Sequence, residues 1–149
     1  MDKRRIKLFL LIIWLILIFM FSNQPAVVSD GNSHFVIYIF DKLGLNMESV
    51  FGNMADFLVR KAAHFSEYFI LYILIFNVMR DGYTGKKLFL LSLLGVFLYA
   101  CTDEFHQIFI PGRTAKFRDV LIDTSGGAVS MCLTYLFLLW KKSVKVYNK

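Results

Sequence analysis

Five ionisable residues of the kinds that carry acid–base or metal chemistry stand inside or at the edges of long apolar runs: His64, Glu67, Asp103, Glu104 and His106. A charged group at the centre of a bilayer helix costs about 2.5–3.5 kcal/mol even on the mildest scale, so such residues are function candidates by default. A histidine beside carboxylates can act as general base or acid, which makes all five candidate catalytic groups. Two histidines with Glu67, Asp103 or Glu104 are also a workable ligand set for a divalent metal. No fixed zinc-binding spacing is present, however, and nothing in the sequence calls for another cofactor. Around these groups stand Arg60, Lys61, Arg113, Lys116 and Arg118. They offer a cationic rim suited to phosphate or carboxylate, with arginine supplying paired donors. Arg60, Lys61, Gln107, Arg113, Arg118, Asp119 and Asp123 are the candidate substrate-binding residues.

Helical spacing lets these groups meet. Arg60, His64 and Glu67 fall at i, i+4 and i+7, which is one stripe of a helix. Asp103, His106 and Gln107 form a second stripe, and Asp119, Asp123 and Gly126 a third. The small residues Gly126, Gly127 and Ser130 allow a neighbouring helix to approach closely. The bland alternative is a set of structural ion pairs, Arg60 or Arg113 with Glu67 or Asp103. Against it, apolar residues of similar volume would hold a bundle together as well or better.

The elements that must position the site are membrane helices. The chain has 149 residues, 57% of them hydrophobic, in runs too long for a soluble domain of this size. The fold class is all-α: one polytopic membrane domain, with spans at about 6–21, 62–79, 88–110 and 120–140 and an outer loop at about 22–61. Within that loop, 32–45 and 46–60 show helical apolar spacing broken by Asp41, Lys42, Glu48 and Asp56, as expected of amphipathic helices lying on the membrane surface. The basic start followed by an apolar run is like a signal peptide. Bulky residues continue to Phe21, though, and no small-x-small cleavage pattern follows, so an uncleaved first span is expected. Cys101 and Cys132 sit in apolar runs and read as packing residues.

Charge orients the bundle. Lys3, Arg4, Arg5 and Lys7 precede the first span; Arg80, Lys86 and Lys87 join the second to the third; Lys141, Lys142, Lys145 and Lys149 follow the fourth. Eleven of the seventeen cations thus flank three segments on one side, against only two of the eleven acids. The positive-inside rule then puts both termini in the cytoplasm. The net charge of +6 is explained by orientation and lipid, so no nucleic acid is expected as a partner. On a rise of about 1.5 Å per residue, Glu67, His64, Asp103, Glu104 and Asp123 lie some 18–26 Å from the inner ends. In a core about 30 Å thick, all of them are in the outer half.

Three ordered motifs carry a resemblance: R-K-x-x-H-F-x-E-Y (60–68), D-E-x-H-Q-x-F-x-P-G-R (103–113) and D-V-L-I-D-T-x-G (119–126). With F-S-x-Q-P (21–25), they resemble the VanZ-like family of small bacterial membrane proteins over residues 21–130. That family is named for a protein associated with teicoplanin resistance. Arg60, Lys61, His64, Glu67, Asp103, Glu104, His106, Gln107, Arg113 and Asp119 match its motif positions. Asp123 stands where asparagine is often found, and Ser130 near where a second glycine often stands. The resemblance implies a multi-pass protein of the bacterial cell membrane; it does not supply a reaction.

Three functions fit these residues. One is a membrane enzyme acting at the outer leaflet on an anionic or lipid-linked envelope molecule, using His64 or His106 with Glu67 and Asp103. The second is a non-catalytic protein that binds such a lipid or a lipoglycopeptide and so alters susceptibility to it. The third is a proton-coupled carrier, disfavoured because no polar relay continues inward below Glu67. A Ser/His/Asp hydrolase is not indicated, since Ser66 has no nucleophile elbow around it. Membrane lipids are partners in every case.

Overall fold

The computed structural model describes residues 2–147; for Glu48, Asn53 and residues 144–147 it describes the backbone alone. Lys149, counted among the inner cations, lies outside the described residues, as do the side chains of Lys145 and Glu48. The described chain is all-helical: α1 (Lys3–Ser22), α2 (Ala26–Lys42), α3 (Met47–Phe51), a single 3₁₀ turn (Gly52–Met54), α4 (Ala55–Met79), α5 (Gly85–Gln107) and α6 (Phe117–Tyr147). Four of these, α1, α4, α5 and α6, are long and apolar enough to cross a membrane. α2 and α3 lie between the first and second of them, and α2 packs against α4.

Helix boundaries differ from the sequence expectation where turn chemistry outweighs the apolar pattern. The third span was expected to run to Ile110, but α5 ends at Gln107. Ile108, Phe109 and Ile110 instead bond back to Phe105, His106 and Gln107 in tight i to i−3 turns. The reason lies just ahead, in Pro111 and Gly112. Gly112 has φ +76°, where a side chain is strained, and a Cβ there would stand 3.0 Å from that of Ala26. The backbone N–H of Ala26 donates to the Pro111 carbonyl, so α2 begins against this turn, six residues earlier than the expected start at 32. Residues 55–60, expected to close a surface helix, extend α4 outward instead.

The core grows from stripes. On α4, Tyr68, Leu71, Tyr72 and Phe76 are buried; on α5 the buried face runs Leu88, Ser92, Val96 and Ala100. In lipid no hydrophobic drive separates helix from solvent, so close approach must supply the attraction. α6 supplies it with glycine. A Cβ on Gly126 would collide with the Phe65 carbonyl oxygen of α4, and one on Gly127 would come 2.8 Å from Val96 Cγ1 of α5. Ser130, in place of a further glycine, is buried at 1% exposure, so the packing stays close there as well. Gly126→Ala should therefore strain the α4–α6 contact by about 1–3 kcal/mol. Gly31→Ala, with nothing within 4 Å of the added methyl, should be tolerated. Thermal unfolding of the two variants in detergent measures the difference.

With no polar residue from Leu8 to Phe21, the first span is expected at the periphery of the bundle, and that holds for only part of its length. Most of its large apolar side chains face outward, as lipid contact demands, but Ile18 and Ser22 are buried. Trp14 Nε1 donates to the Glu67 carbonyl at 3.0 Å, and the Tyr99 hydroxyl donates to the Leu15 carbonyl at 2.7 Å. Cys101 and Cys132 are both free; Cys101 is half-buried, whereas Cys132 is exposed and lines an apolar hollow between α5 and α6 rather than packing in the core. At one end of the bundle Lys7 meets Asp81 at 2.6 Å and holds that carboxyl below its ordinary range. The α1 start and the α4–α5 turn therefore share an end, and the α1–α2 and α5–α6 turns meet at the other.

Candidate functional site

The polar site is the continuation of the apolar core. The buried stripe of α5 runs on from Ala100 into Asp103, Glu104 and Gln107, all 4–6% exposed. Likewise the α6 face that carries Gly126 and Ser130 begins with Asp123, 2% exposed. These acids are buried because their positions in the helical repeat are core positions. Asp103 and Glu104 also stand in the last turn of α5, where the helix dipole disfavours negative charge. Helix stability is therefore no reason for them to be there.

Two kinds of role separate among them. Glu104 accepts the Lys116 backbone N–H at 3.0 Å, which satisfies a donor at the start of α6 and fixes the α5–α6 loop. Gln107 donates to Ser22 at 3.0 Å and ties α5 to α1. Asp103, by contrast, keeps Oδ2 buried with no hydrogen-bond partner. Its neighbours are His64 of α4 and Asp123 of α6: the three offer ligand atoms all within 4.8 Å of one another, with His64 Nδ1 3.5 Å from Asp123 Oδ1. Three helices thus bring an imidazole and two carboxylates to one point.

The ion pairs anticipated from sequence are not those that form. Arg60 pairs with Asp30 of α2, not with Glu67 or Asp103. Arg113 donates to the backbone carbonyls of Gln24, at 2.8 Å, and Phe21. Burial and the neighbouring Arg60 push its guanidinium down from its ordinary value, although arginine keeps its charge. Among the described residues, neither Glu67 nor Asp103 has a cation within ion-pair distance. Among the described residues the least exposed Lys–carboxylate pair is Lys61 with Asp119, at 2.8 Å. His106 is set apart from His64. It is hydrogen-bonded to Asn23 at 3.0 Å and its ring lies against Phe19, so it joins the α1 end to α5. The metal set drawn from sequence needed both histidines, whereas the cluster that forms contains His64 alone, with Asp123 in place of Glu67 or Glu104.

Two cavities adjoin the cluster. The first, about 170 Å³, is lined by Arg60, Lys61, Arg113, Lys116 and Arg118 with His64, Gln107 and a single acid, Asp119. Phe57 forms part of its wall and lies beneath both Lys61 and Arg118, 5.8 and 5.2 Å from its ring centre. The second, about 380 Å³, lies between α2 and α4 and shares Arg60, His64 and Arg113 with the first. Glu67 joins its polar side, while Phe21, Phe35, Val36, Val59 and Ala63 give it an apolar wall. Sequence reasoning missed Asp30 and Ser33: the first lies ahead of the surface helix expected at 32–45, and the second at its start. Ser22 was visible only as part of the F-S-x-Q-P motif.

Phe35 and Ile39 of α2, with Leu43 at its C-cap, are 42–72% exposed, as a helix resting on lipid requires. No curated protein and no solved structure matches this chain. The profile of the VanZ/LLP1 family does, over residues 7–139. With that match across most of its length, and with the three motifs folded around one site, the chain belongs to the VanZ-like family.

Proposed function

We propose that this protein acts at the outer face of the bacterial membrane on an anionic, lipid-linked envelope molecule, with the phosphate or carboxylate held in the cationic cavity. The observation that carries the reading is the make-up of that cavity: five cationic side chains against one lining carboxylate. Even with Lys61 paired to Asp119 and Arg60 to Asp30 an excess of positive charge remains, and Arg60 adds to the burial that holds the Arg113 guanidinium below its ordinary value. The adjoining hollow supports the lipid half of the reading. It is polar at Arg60, His64, Glu67 and Arg113 and apolar at Phe21, Phe35, Val36 and Val59, so a headgroup and the start of a hydrocarbon tail fit one continuous groove. His64 borders both cavities with Asp123 beside it, so its imidazole stands where a bound headgroup would meet it. Family kinship extends the reading to lowered susceptibility to teicoplanin-type lipoglycopeptides, whose targets are molecules of this class.

A polyprenyl phosphate in vesicles is the direct probe. The wild-type chain should bind it at least tenfold more tightly than the uncharged polyprenol, and Arg60→Gln with Arg113→Gln should remove that preference. Equal binding of the two lipids would overturn the reading. Orientation has its own test, since the cationic cavity must face outward. A single cysteine replacing Arg113 should react with an impermeant reagent on intact cells, and one replacing Lys86, at the opposite end, should not.

A further inference from the structure

We propose that His64, Asp103 and Asp123 bind one divalent transition-metal ion beside the cationic cavity, which His64 lines. The three residues come from α4, α5 and α6, so the site exists only in the assembled bundle. Two ligand atoms sharing a tetrahedral ion at about 2.1 Å each stand about 3.4 Å apart. His64 Nδ1 and Asp123 Oδ1, at 3.5 Å, already meet that spacing, and an Asp103 oxygen lies within 4.8 Å of both.

Two further observations point to a ligand rather than to a self-contained cluster. Asp103 is 4% exposed and its Oδ2 has no partner within hydrogen-bonding distance. The Ser22 and Tyr68 hydroxyls approach the carboxyl, and that of Tyr68 is itself buried without a partner, so these polar atoms are incompletely satisfied from within the chain. Nor is the charge balanced from within. The nearby cations are engaged elsewhere: Lys61 with Asp119, Arg60 with Asp30, and Arg113 with the carbonyls of Gln24 and Phe21. Two buried carboxylates against a single imidazole leave at least one negative charge, even with that imidazole protonated, which a divalent cation would neutralise. The imidazole nitrogen favours zinc or a similar first-row ion over magnesium or calcium, which take oxygen ligands. Three protein ligands leave a coordination position open, and because His64 lines the cationic cavity a phosphate held there would lie close to the ion.

The proposal deepens the reading of the anion site and rests on it only for what the metal would do; its test uses the metal alone. The full chain is purified in detergent without a histidine tag, stripped with chelator, and incubated with zinc. About one zinc per chain should be retained, and cobalt in its place should give visible absorption bands. His64→Ala, Asp103→Asn and Asp123→Asn should each lose the ion, while His34→Ala on α2 keeps it. Size-exclusion profiles identify variants that fail to fold, and Asp123→Glu, which keeps the carboxylate, should restore binding if the fold is intact. Zinc absent from the wild type, or retained equally by the three variants, would overturn the proposal whatever becomes of polyprenyl phosphate binding. Conversely, zinc binding with no phosphate preference would leave the metal site standing and remove the anion reading.

Discussion

Lys61→Met should deplete the folded protein from the membrane. Lys61 and Asp119 meet at 2.8 Å with side chains only 15% and 13% exposed, and no other cation is in hydrogen-bonding range of that carboxylate. Arg118 Nε is 3.8 Å away, and its side chain is largely exposed. Removing one member of such a pair leaves a buried charge without a partner, at a cost of about 3–5 kcal/mol. Against a total stability of roughly 5–15 kcal/mol, that is enough to lose most of the protein to degradation. Asp119→Leu alone should do the same from the other side. The two changes together should recover abundance, because the charges are then removed as a pair; the helix-dipole benefit of an acid in the first turn of α6 is lost, but that is only about 0.3–1 kcal/mol. Immunoblots of membrane fractions give the answer. A double variant as depleted as the singles would mean that packing, not charge pairing, makes this contact indispensable.

Glu67→Gln and Asp103→Asn should behave in the opposite way, keeping abundance while losing function. Had these acids been partners of Arg60 and Arg113, neutralising them would strand a buried arginine and the protein would disappear. The arginines instead bond to Asp30 and to backbone carbonyls, so the amide variants leave no cation behind. They remove negative charge that lacks a compensating partner within the chain, which is neutral or stabilising for the fold. His64→Gln belongs with them, since it keeps most of the volume and a hydrogen-bonding group beside Asp123 but takes away the imidazole. All three variants should accumulate to within about twofold of wild type, a change of less than about 0.5 kcal/mol on the scale where 1.4 kcal/mol is tenfold. Each should nonetheless return lipoglycopeptide susceptibility to that of a strain lacking the protein. Normal susceptibility in all three at full abundance would remove the site reading and leave a scaffold.

Much of the molecule could be read from its residues alone, for a physical reason. A bilayer imposes one length and one composition on anything that crosses it, so the four spans are visible as runs. Helical spacing is local, so the stripe of Arg60, His64 and Glu67 is visible too, and the close-packing role of Gly126 and Gly127 follows from their lack of a side chain. The motif order then identifies the family. All of these depend on residues close together in sequence or on a property of the solvent.

The structure was needed wherever two distant segments compete for one partner. Any of several acids would satisfy Arg60; α2 wins because its start is drawn against the Pro111–Gly112 turn, which brings Asp30 across to α4. His64 and His106 look alike in sequence, beside carboxylates on stripes of adjacent spans. They part because His106 lies off the buried stripe of α5 and turns toward α1, while His64 faces Asp103 and Asp123. The last acids of α5 lie nearer its end than the apolar run implied, since a glycine with positive φ sets where the helix stops. Composition and period decided which residues would be buried; which of them touch was decided by helix rotation and by the turns, and both are long-range outcomes of packing.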